Sequence, residues 1–442
     1  MSENNVPFVT KIFYKIILTG IFAFLVLSLN NCYSQDTVKV MHYNILNYGN
    51  NTGYCNSTNN NIDDKESRLK KILQYAKPDI LTVNEIAANT YVHQRLLDST
   101  LNVEGINFYA KAVYSNNAGS NIVNMLYYDT TKFVLHSQDL VHPVTVRDID
   151  IYKLYHKTPD LSITLDTTFL FCIVAHLNAG NSPQDAARRA TMTFDMMNYL
   201  ENNYQKTNVM FLGDYNTYTS SETAYQNLIN YPNPDYRFYD PINRAGNWNN
   251  NSSFADVHTQ STHSSSNGCA SGGGMDDRFD QILISEKILN GSKKIEYIQG
   301  SYKAIGQDGL HFNNSINSSP VNTSVPPDVL NALYNLSDHL PVTLDLRITG
   351  SASNIKDQSL NNIIIEYENP VYDILNISIK EKYDNALRLE IYSSTGKNLY
   401  TQIIHPGINT ISFDLTSYSK GMFFLIIKDN ASNFSSYKFV KI

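Results

Sequence analysis

The sequence has no excess of positive charge. Its 442 residues carry 34 Lys and Arg against 41 Asp and Glu, a formal net charge of −7. A protein that coats nucleic acid by neutralising phosphates needs the opposite balance, so that class is excluded. A local positive site built around a metal ion is not excluded. Long apolar runs are also missing, apart from one. "IILTGIFAFLVLSL" follows Lys11 and Lys15 and gives way to the polar "NNCYSQDT". That order reads as a secretory leader cleaved near Ser34 or Gln35. The run is shorter than the roughly 20 residues a spanning helix prefers. An uncleaved anchor is the competing reading. Cys32 raises a lipoprotein reading, although Asn30 and Asn31 are not the small residues such a site usually has. No other stretch could span a membrane, so no stable span is expected after leader removal.

Cysteine is scarce, four in all. Cys172 sits in the apolar "FLFCIVAHL" and reads as a buried thiol. Cys55 and Cys269 lie in the polar loops "GNNTGYCNST" and "SSSNGCASGGG". An exported chain meets an oxidising space, which makes a Cys55–Cys269 disulfide an expectation that sequence alone does not test.

What is present is regular. "TVKVMHYNIL" and "DILTVNEI" read as strands around the helix "DDKESRLKKILQYAK", which ends at Pro78. "NFYAKAVYS" and "NIVNMLYYD" read as a hairpin pair. "LFCIVAHLN" and "NVMFLGDYN" are nearly continuous apolar strands, hence buried on both faces. Between them runs the amphipathic helix "SPQDAARRATMTFDMMNYLENNY", with Pro183 near its start. "DDRFDQILIS" and "HLPVTLDLRI" complete the set. Interleaved strands and helices with some antiparallel neighbours predict an α/β protein with mixed sheets. "THSSSNGCASGGGMDD" has too much Gly and Ser to pack and is expected to be a mobile loop, either lining a site or a plain surface insertion. Beyond "TGSASNIKDQS" no helical pattern remains. Short strands separated by turns predict a small all-β sandwich of roughly eighty residues.

Several chemically capable residues share one position type. Asn44, Glu85, His176, Asp214 and Asn216 each close a buried strand or follow it directly. Side chains from separate strands converge at such ends. Asp280 and the Asp338–His339 pair stand at strand starts, and an antiparallel strand starts where its neighbour finishes. Singly, each has a structural explanation: a Glu facing solvent, a Gly-Asp turn, a packed His. The ordered set is the signal. Asp308 and His311 in "GQDGLHFN" could approach the same place or form a structural turn.

The segments "HYNILNY", "TVNEI", "AHLNAG", "FLGDYN", "DRFDQIL" and "SDHLP" occur in an order that resembles the endonuclease/exonuclease/phosphatase superfamily of metal-dependent phosphoesterases, over Thr37 to Thr349. Tyr43 stands where Trp is common, and Asn84 where Gln often precedes the Glu. The resemblance implies a four-layer α/β sandwich with two packed mixed sheets. It implies Mg²⁺ (Mn²⁺ or Ca²⁺ being possible), with Glu85 and Asp338 as carboxylate ligands and Asn44 beside them. Hard cations of this kind favour oxygen donors and keep waters. Asp214, helped by Asn216, would align and deprotonate a water. His339, backed by Asp280, would act as base or charge stabiliser, and His176 would contact the phosphate. Tyr127 or Tyr128 is a further candidate for that contact.

"NPV" at Asn369–Val371, "LEIYSSTGK", "GMFFLIIK" and the terminal "KFVKI" resemble the type A sorting domain of type IX secretion; a carbohydrate-binding or adhesion module is the alternative. The expected organisation is a leader over 1–35, a catalytic domain over 36–349, a linker over 350–362 and a sorting domain over 363–442. The expected protein is a monomer, secreted or at the cell surface, that meets the type IX machinery and hydrolyses phosphodiesters, foremost in extracellular DNA or RNA. A sphingomyelinase-type lipid phosphodiesterase and a non-catalytic adhesin are the alternatives.

Overall fold

The computed structural model describes residues 33–143, 146–157, 167–352, 365–380, 383, 385–429 and 434–442. Residues 1–32 of the expected leader and 353–362 of the expected linker lie outside the described residues. The chain divides into two compact units, one of Tyr33–Ser351 and one containing Ala352–Ile442.

The first unit contains strands β1 (Tyr33–Tyr48), β2 (Ile80–Ala87), β3 (Tyr109–Lys111), β4 (Ile122–Asp129), β5 (Phe133–Val141), β6 (Ile149–His156), β7 (Phe169–His176), β8 (Asn208–Asp214), β9 (Phe238–Tyr239), β10 (Asp280–Ser285), β11 (Ile295–Tyr297), β12 (Lys303–Ala304) and β13 (Val342–Ala352). Its helices are α1 (Ile62–Ala76), α2 (Thr90–Leu96), α3 (Pro183–Asn203), α4 (Thr223–Ile229), α5 (Glu286–Leu289) and α6 (Pro327–Leu336). One sheet has the order β11-β13-β1-β2-β4-β3, with β12 on β13. The other has the order β5-β6-β7-β8-β10-β9. β1 with β2 and β7 with β8 run parallel, while β2 with β4 and β8 with β10 are antiparallel.

The continuous apolar strands are explained by two cores. In β7, Leu170, Cys172 and Val174 enter the core shared with Val40, Val83 and Met125 of the first sheet. The alternate residues Phe171, Ile173 and Ala175 enter a second core with Met192, Met196 and Leu200 of α3. Side chains alternate across a strand, so a strand covered on both faces shows no polar alternation. α1 and α6 contribute Leu69, Ile72 and Leu333 to the first core, giving helix, sheet, sheet, helix. Each helix has a local cause. The Asn61 side chain accepts from Asp63 N–H and Asp64 N–H at the start of α1, and Lys77 ends it in the left-handed region before Pro78. Ser182 and Asp185 form a capping box around Pro183.

Gly213 has a packing reason rather than a turn reason. It lies inside β8 opposite Ala175, and a Cβ there would meet Ala175 O at 1.9 Å. Only glycine lets these two strands pair closely enough to bring their last residues level.

His93 of α2 pins the chain just beyond Glu85. One ring nitrogen, Nε2, lies 2.8 Å from Ala87 O, and the buried ring sits beside Tyr114. Burial pulls its pKa from 6.5 down to about 4. The unfolded chain therefore binds the proton first, so stability is present above pH 6.5 and is lost as pH falls toward 4. The shift corresponds to about 3 kcal/mol over that window. His93→Gln should flatten the dependence of Tm on pH between 6.5 and 4.5, measured by circular dichroism.

The second unit is antiparallel β throughout its described strands. β14 (Ile365–Tyr367), β15 (Ile374–Ile379) and β18 (Thr410–Asp414) form one sheet. β16 (Leu387–Ser393), β17 (Asn398–Ile404), β19 (Gly421–Lys428) and β20 (Phe434–Lys441) form the other, in the order β17-β16-β19-β20. Leu375, Ile377, Leu389, Ile391, Leu425 and Phe439 make its core.

Candidate active site

Two parallel strand pairs end at one place. In the first sheet Asn44 lies level with Asn84, the neighbour of Glu85. In the second sheet His176, Asp214 and Asp280 stand in a row on β7, β8 and β10. The sheets face each other, so the rows meet.

Asn44 is the hub. Its Nδ2 lies 3.0 Å from Glu85 Oε1, 3.0 Å from Asp214 Oδ2 and 3.4 Å from His339 Nε2. The Asn44 amide is aimed by Leu46 N–H, which donates to its Oδ1 at 3.0 Å. Glu85 also accepts Asn47 N–H at 3.0 Å, and its backbone has φ 63. A non-glycine residue in that region carries strain of about 1–3 kcal/mol, which the surrounding structure must hold. Asp214 accepts Asn216 N–H at 3.0 Å, and its own N–H donates to Asn84 Oδ1 at 2.9 Å. Asn216 in turn donates its side-chain amide to Leu177 O at 3.3 Å. Burial raises the Asp214 pKa, and His339 opposes the rise.

His339 Nδ1–H donates to Asp280 Oδ2 at 2.7 Å. Its Nε2 lies 3.7 Å from Asp214 and 4.0 Å from Asp338. Burial disfavours the imidazolium, but Asp280, Asp214 and Asp338 outweigh it and hold the pKa well above 6.5. His176 Nε2 is 3.5 Å from Asp214 and 3.8 Å from Glu85. Burial, then Arg147 and His339, lower its pKa, so it is neutral. The surroundings push the two imidazoles in opposite directions, although both face the same carboxylate.

The ligand atoms of Glu85, His176 and Asp214 lie within 4.8 Å of one another and could hold a metal ion. The expected set was Asn44, Glu85 and Asp338. Asp338 joins the network by another route: Ser271 N–H donates to its Oδ2 at 2.8 Å, and its Oδ1 is buried without a partner. A buried carboxylate oxygen left unpaired is costly in a dry site and suits a cation. The donors there, the carboxylates of Glu85, Asp214 and Asp338 with the His176 imidazole, fit a divalent ion.

Four other expectations are resolved here. Tyr127 and Tyr128 pair with Leu81 and Ile80, at the far end of β2 from Glu85, and the Tyr127 hydroxyl donates to His93 O. Neither is a phosphate contact; the β4 residue that reaches the site is Asn124, which holds Asn84 at 2.7 Å. Asp308 and His311 bond to each other, and His311 bonds to Ser318 O and Pro320 O, which is a structural turn. The two ends of the Gly- and Ser-rich loop pack, while residues 264–268 between them stay exposed. His263 stacks on Tyr334, Ala270 and Met275 are buried, and Cys269 is bonded to Cys55. Its polar groups are satisfied by hydrogen bonds rather than by apolar contact.

The sequence reading missed several neighbours of the site. Gln260 Nε2 lies 2.7 Å from His339 Nε2 and 3.4 Å from Asp338 Oδ2. His42 Nε2 faces the free Asp280 Oδ1 at 3.9 Å. Arg147 feels the charges of Glu85 and Asp214, and its Nε has no partner. Gln260 and Arg147 stand in no recognisable motif, and His42 opens "HYNILNY" without having been singled out. Lys65 was visible only as a polar residue of α1, yet its buried Nζ donates to Ile45 O and Leu46 O. Burial lowers its pKa to about 7, against the pull of Glu85 and Asp338. It holds the left-handed turn at Leu46 and Asn47 that feeds Glu85. Lys65→Met should weaken Mn²⁺ binding about tenfold, the range of losses at groups that orient metal ligands. Calorimetric titration measures this.

Residues 367–441 match the family described as the secretion system C-terminal sorting domain, which marks type IX secreted and cell-surface proteins. The chain thus carries an export signal, as its C-terminal motifs led us to expect. No helix among the described residues is long and apolar enough to cross a membrane. The curated proteins gave no match. Among solved structures, the chain is similar to an endonuclease/exonuclease/phosphatase family protein of Bacteroides thetaiotaomicron, with 12% identity over 72% of this chain and 96% of that one, TM-score 0.42. A family member from Bacteroides vulgatus gives 14%, 71%, 99% and 0.45 on the same measures. The human Nocturnin catalytic domain with bound sulfate gives 14%, 71%, 97% and 0.44.

Proposed function

We propose that the unit Tyr33–Ser351 is a divalent-metal-dependent phosphodiesterase acting outside the cell, with DNA or RNA as its substrate. The observation that carries this reading is the single network joining Glu85, Asn44, Asp214, His339 and Asp280 at the ends of two parallel strand pairs. Carboxylates, a charged imidazole and a neutral one, brought together and buried, suit phosphoryl chemistry and have no use in a packed core.

Glu85, with Asn44 and Asp338, would hold the ion, and bound there it would offset negative charge on the phosphoryl oxygens. Asp214 Oδ2 takes the proton of the attacking water. Its raised pKa suits a base working near neutrality, and Asn216 N–H fixes the other oxygen. Asp280 holds Nδ1 of His339 and so aims Nε2 of the cationic ring at Asp214. That charge and the Arg147 guanidinium are the protein's own donors to a phosphate anion. His176, neutral, donates or accepts without adding charge. The loops around the site are Asn-, Ser- and Gly-rich, with Asn56, Ser57, Ser265 and Ser266 exposed. A lipid enzyme would present an apolar loop for membrane contact.

The test is turnover of plasmid DNA, RNA and sphingomyelin by the purified chain with Mg²⁺, Mn²⁺ or Ca²⁺, alongside Asp214→Ala. The reading expects metal-dependent cleavage of nucleic acid, abolished in the variant. Cleavage of sphingomyelin alone would move the substrate to lipid. Equal turnover by both proteins would refute the mechanism.

A further inference from the structure

Two loops hold the carboxylates of the site, and a disulfide joins the loops. The first follows β1 and acts through its end: the Asn60 side chain donates at 2.8 Å to the carbonyl of Asn47, the β1 residue whose N–H donates to Glu85 Oε2 at 3.0 Å. In the second, Ser271 N–H donates to Asp338 Oδ2 at 2.8 Å, and Ser271 O accepts from Ser261 Oγ at 2.7 Å. Cys55 lies in the first and Cys269 in the second, 214 residues apart and covalently bonded. Beside the bridge, Asn59 Nδ2 donates to Asn267 O at 3.2 Å. Residues 51–54 and 264–268 are exposed, Tyr54 among them, so these stretches bury little apolar surface.

We propose that the Cys55–Cys269 disulfide is a positioning device for the metal site. It keeps two backbone N–H donors on Glu85 and Asp338 and thereby sets the affinity for a divalent cation. This rests on the metal-site reading above. A loop held only by scattered hydrogen bonds opens readily, because each competes with water. The bridge ties the two loops so that neither carboxylate loses its donor alone. Closing it takes two electrons and two protons from the thiols, which a disulfide oxidant such as glutathione disulfide accepts; a dithiol returns them. A chain reduced before export and oxidised after it would acquire its tight site only outside. Cys172, the other described cysteine, is a buried free thiol and takes no part.

The experiment uses the full chain and Mn²⁺ as probe. Free Mn²⁺ is followed by electron paramagnetic resonance for the oxidised protein, for protein reduced with dithiothreitol and desalted, and for the Cys55→Ser/Cys269→Ser double variant. Circular dichroism checks folding at the same temperature. Reduction should weaken Mn²⁺ binding about tenfold with the fold intact, the loss expected when groups that orient metal ligands are freed. Glutathione disulfide should restore it in the wild type but not in the double variant. If the variant fails to fold, the reduction and reoxidation arms decide alone. Unchanged affinity with two new thiols titrated would overturn the inference and leave the disulfide a plain staple. Oxidised protein whose Mn²⁺ binding is indifferent to Glu85→Gln would overturn the metal-site reading itself, and this inference with it.

Discussion

Asp280→Asn should lower kcat for phosphodiester cleavage by about 100-fold or more, the scale at which a positioned acid–base group contributes. Asp280 is fully buried and spends Oδ2 on His339 Nδ1 at 2.7 Å. That contact does two things. It fixes which ring nitrogen faces the reacting groups, and it leads the three carboxylates that keep the ring charged. An amide of the same shape keeps the packing but removes the negative charge. It can also present N–H to Nδ1, which then carries no proton and leaves the ring neutral. KM should move little, since Asp280 stands behind the ring. Breaking a buried ion pair also costs about 3–5 kcal/mol of stability. Kinetics must therefore be read well below the variant's Tm, with the fold checked by circular dichroism.

Glu85→Gln should raise the dissociation constant for Mn²⁺ by at least about 100-fold, beyond the 10–100-fold typical of a group that only orients a ligand. Glu85 is the carboxylate that both the expected ligand set and the Glu85–His176–Asp214 grouping contain. The substitution removes one negative charge and leaves one oxygen for only one of the two donors, since Asn44 Nδ2 bonds to Oε1 and Asn47 N–H to Oε2. Isothermal titration measures it directly. His176→Ala distinguishes the two sets. A comparable loss makes His176 a ligand, whereas a small loss with reduced kcat leaves it facing the phosphate.

Much of the fold was legible because both periodicities are clean. β7, β8 and α3 announce themselves by runs that tertiary packing reinforces. β5 and β6 were not read. β5 has Ser137, Gln138 and Asp139 in its middle and is half exposed, and a sheet neighbour rather than an apolar run makes it a strand. α6 was overlooked because "PDVLNALYNL" runs straight into the Asp338–His339 motif; Pro327 at its first turn was the missed signal. In the site, the residues that end strands were legible from position. Gln260, Arg147 and His42 were not. They come from loops and a strand interior, and only the three-dimensional approach of the two sheets brings them near His339, Glu85 and Asp280. The C-terminal β unit was readable for the opposite reason: short alternating strands and turns left no helical competitor.

In the proposed reaction Glu85 would hold the metal and Asp214 would act as base in phosphodiester hydrolysis. The direct measurement is hydrolysis of bis(p-nitrophenyl) phosphate by purified protein stripped with EDTA and then titrated with Mg²⁺ or Mn²⁺, beside Glu85→Gln and Asp214→Asn. The predicted result is no turnover when stripped and recovery on titration in the wild type. Glu85→Gln should recover only at far higher metal, and Asp214→Asn should bind metal yet stay inactive. Full turnover by the stripped wild type, or metal-restored turnover by Asp214→Asn, would contradict it.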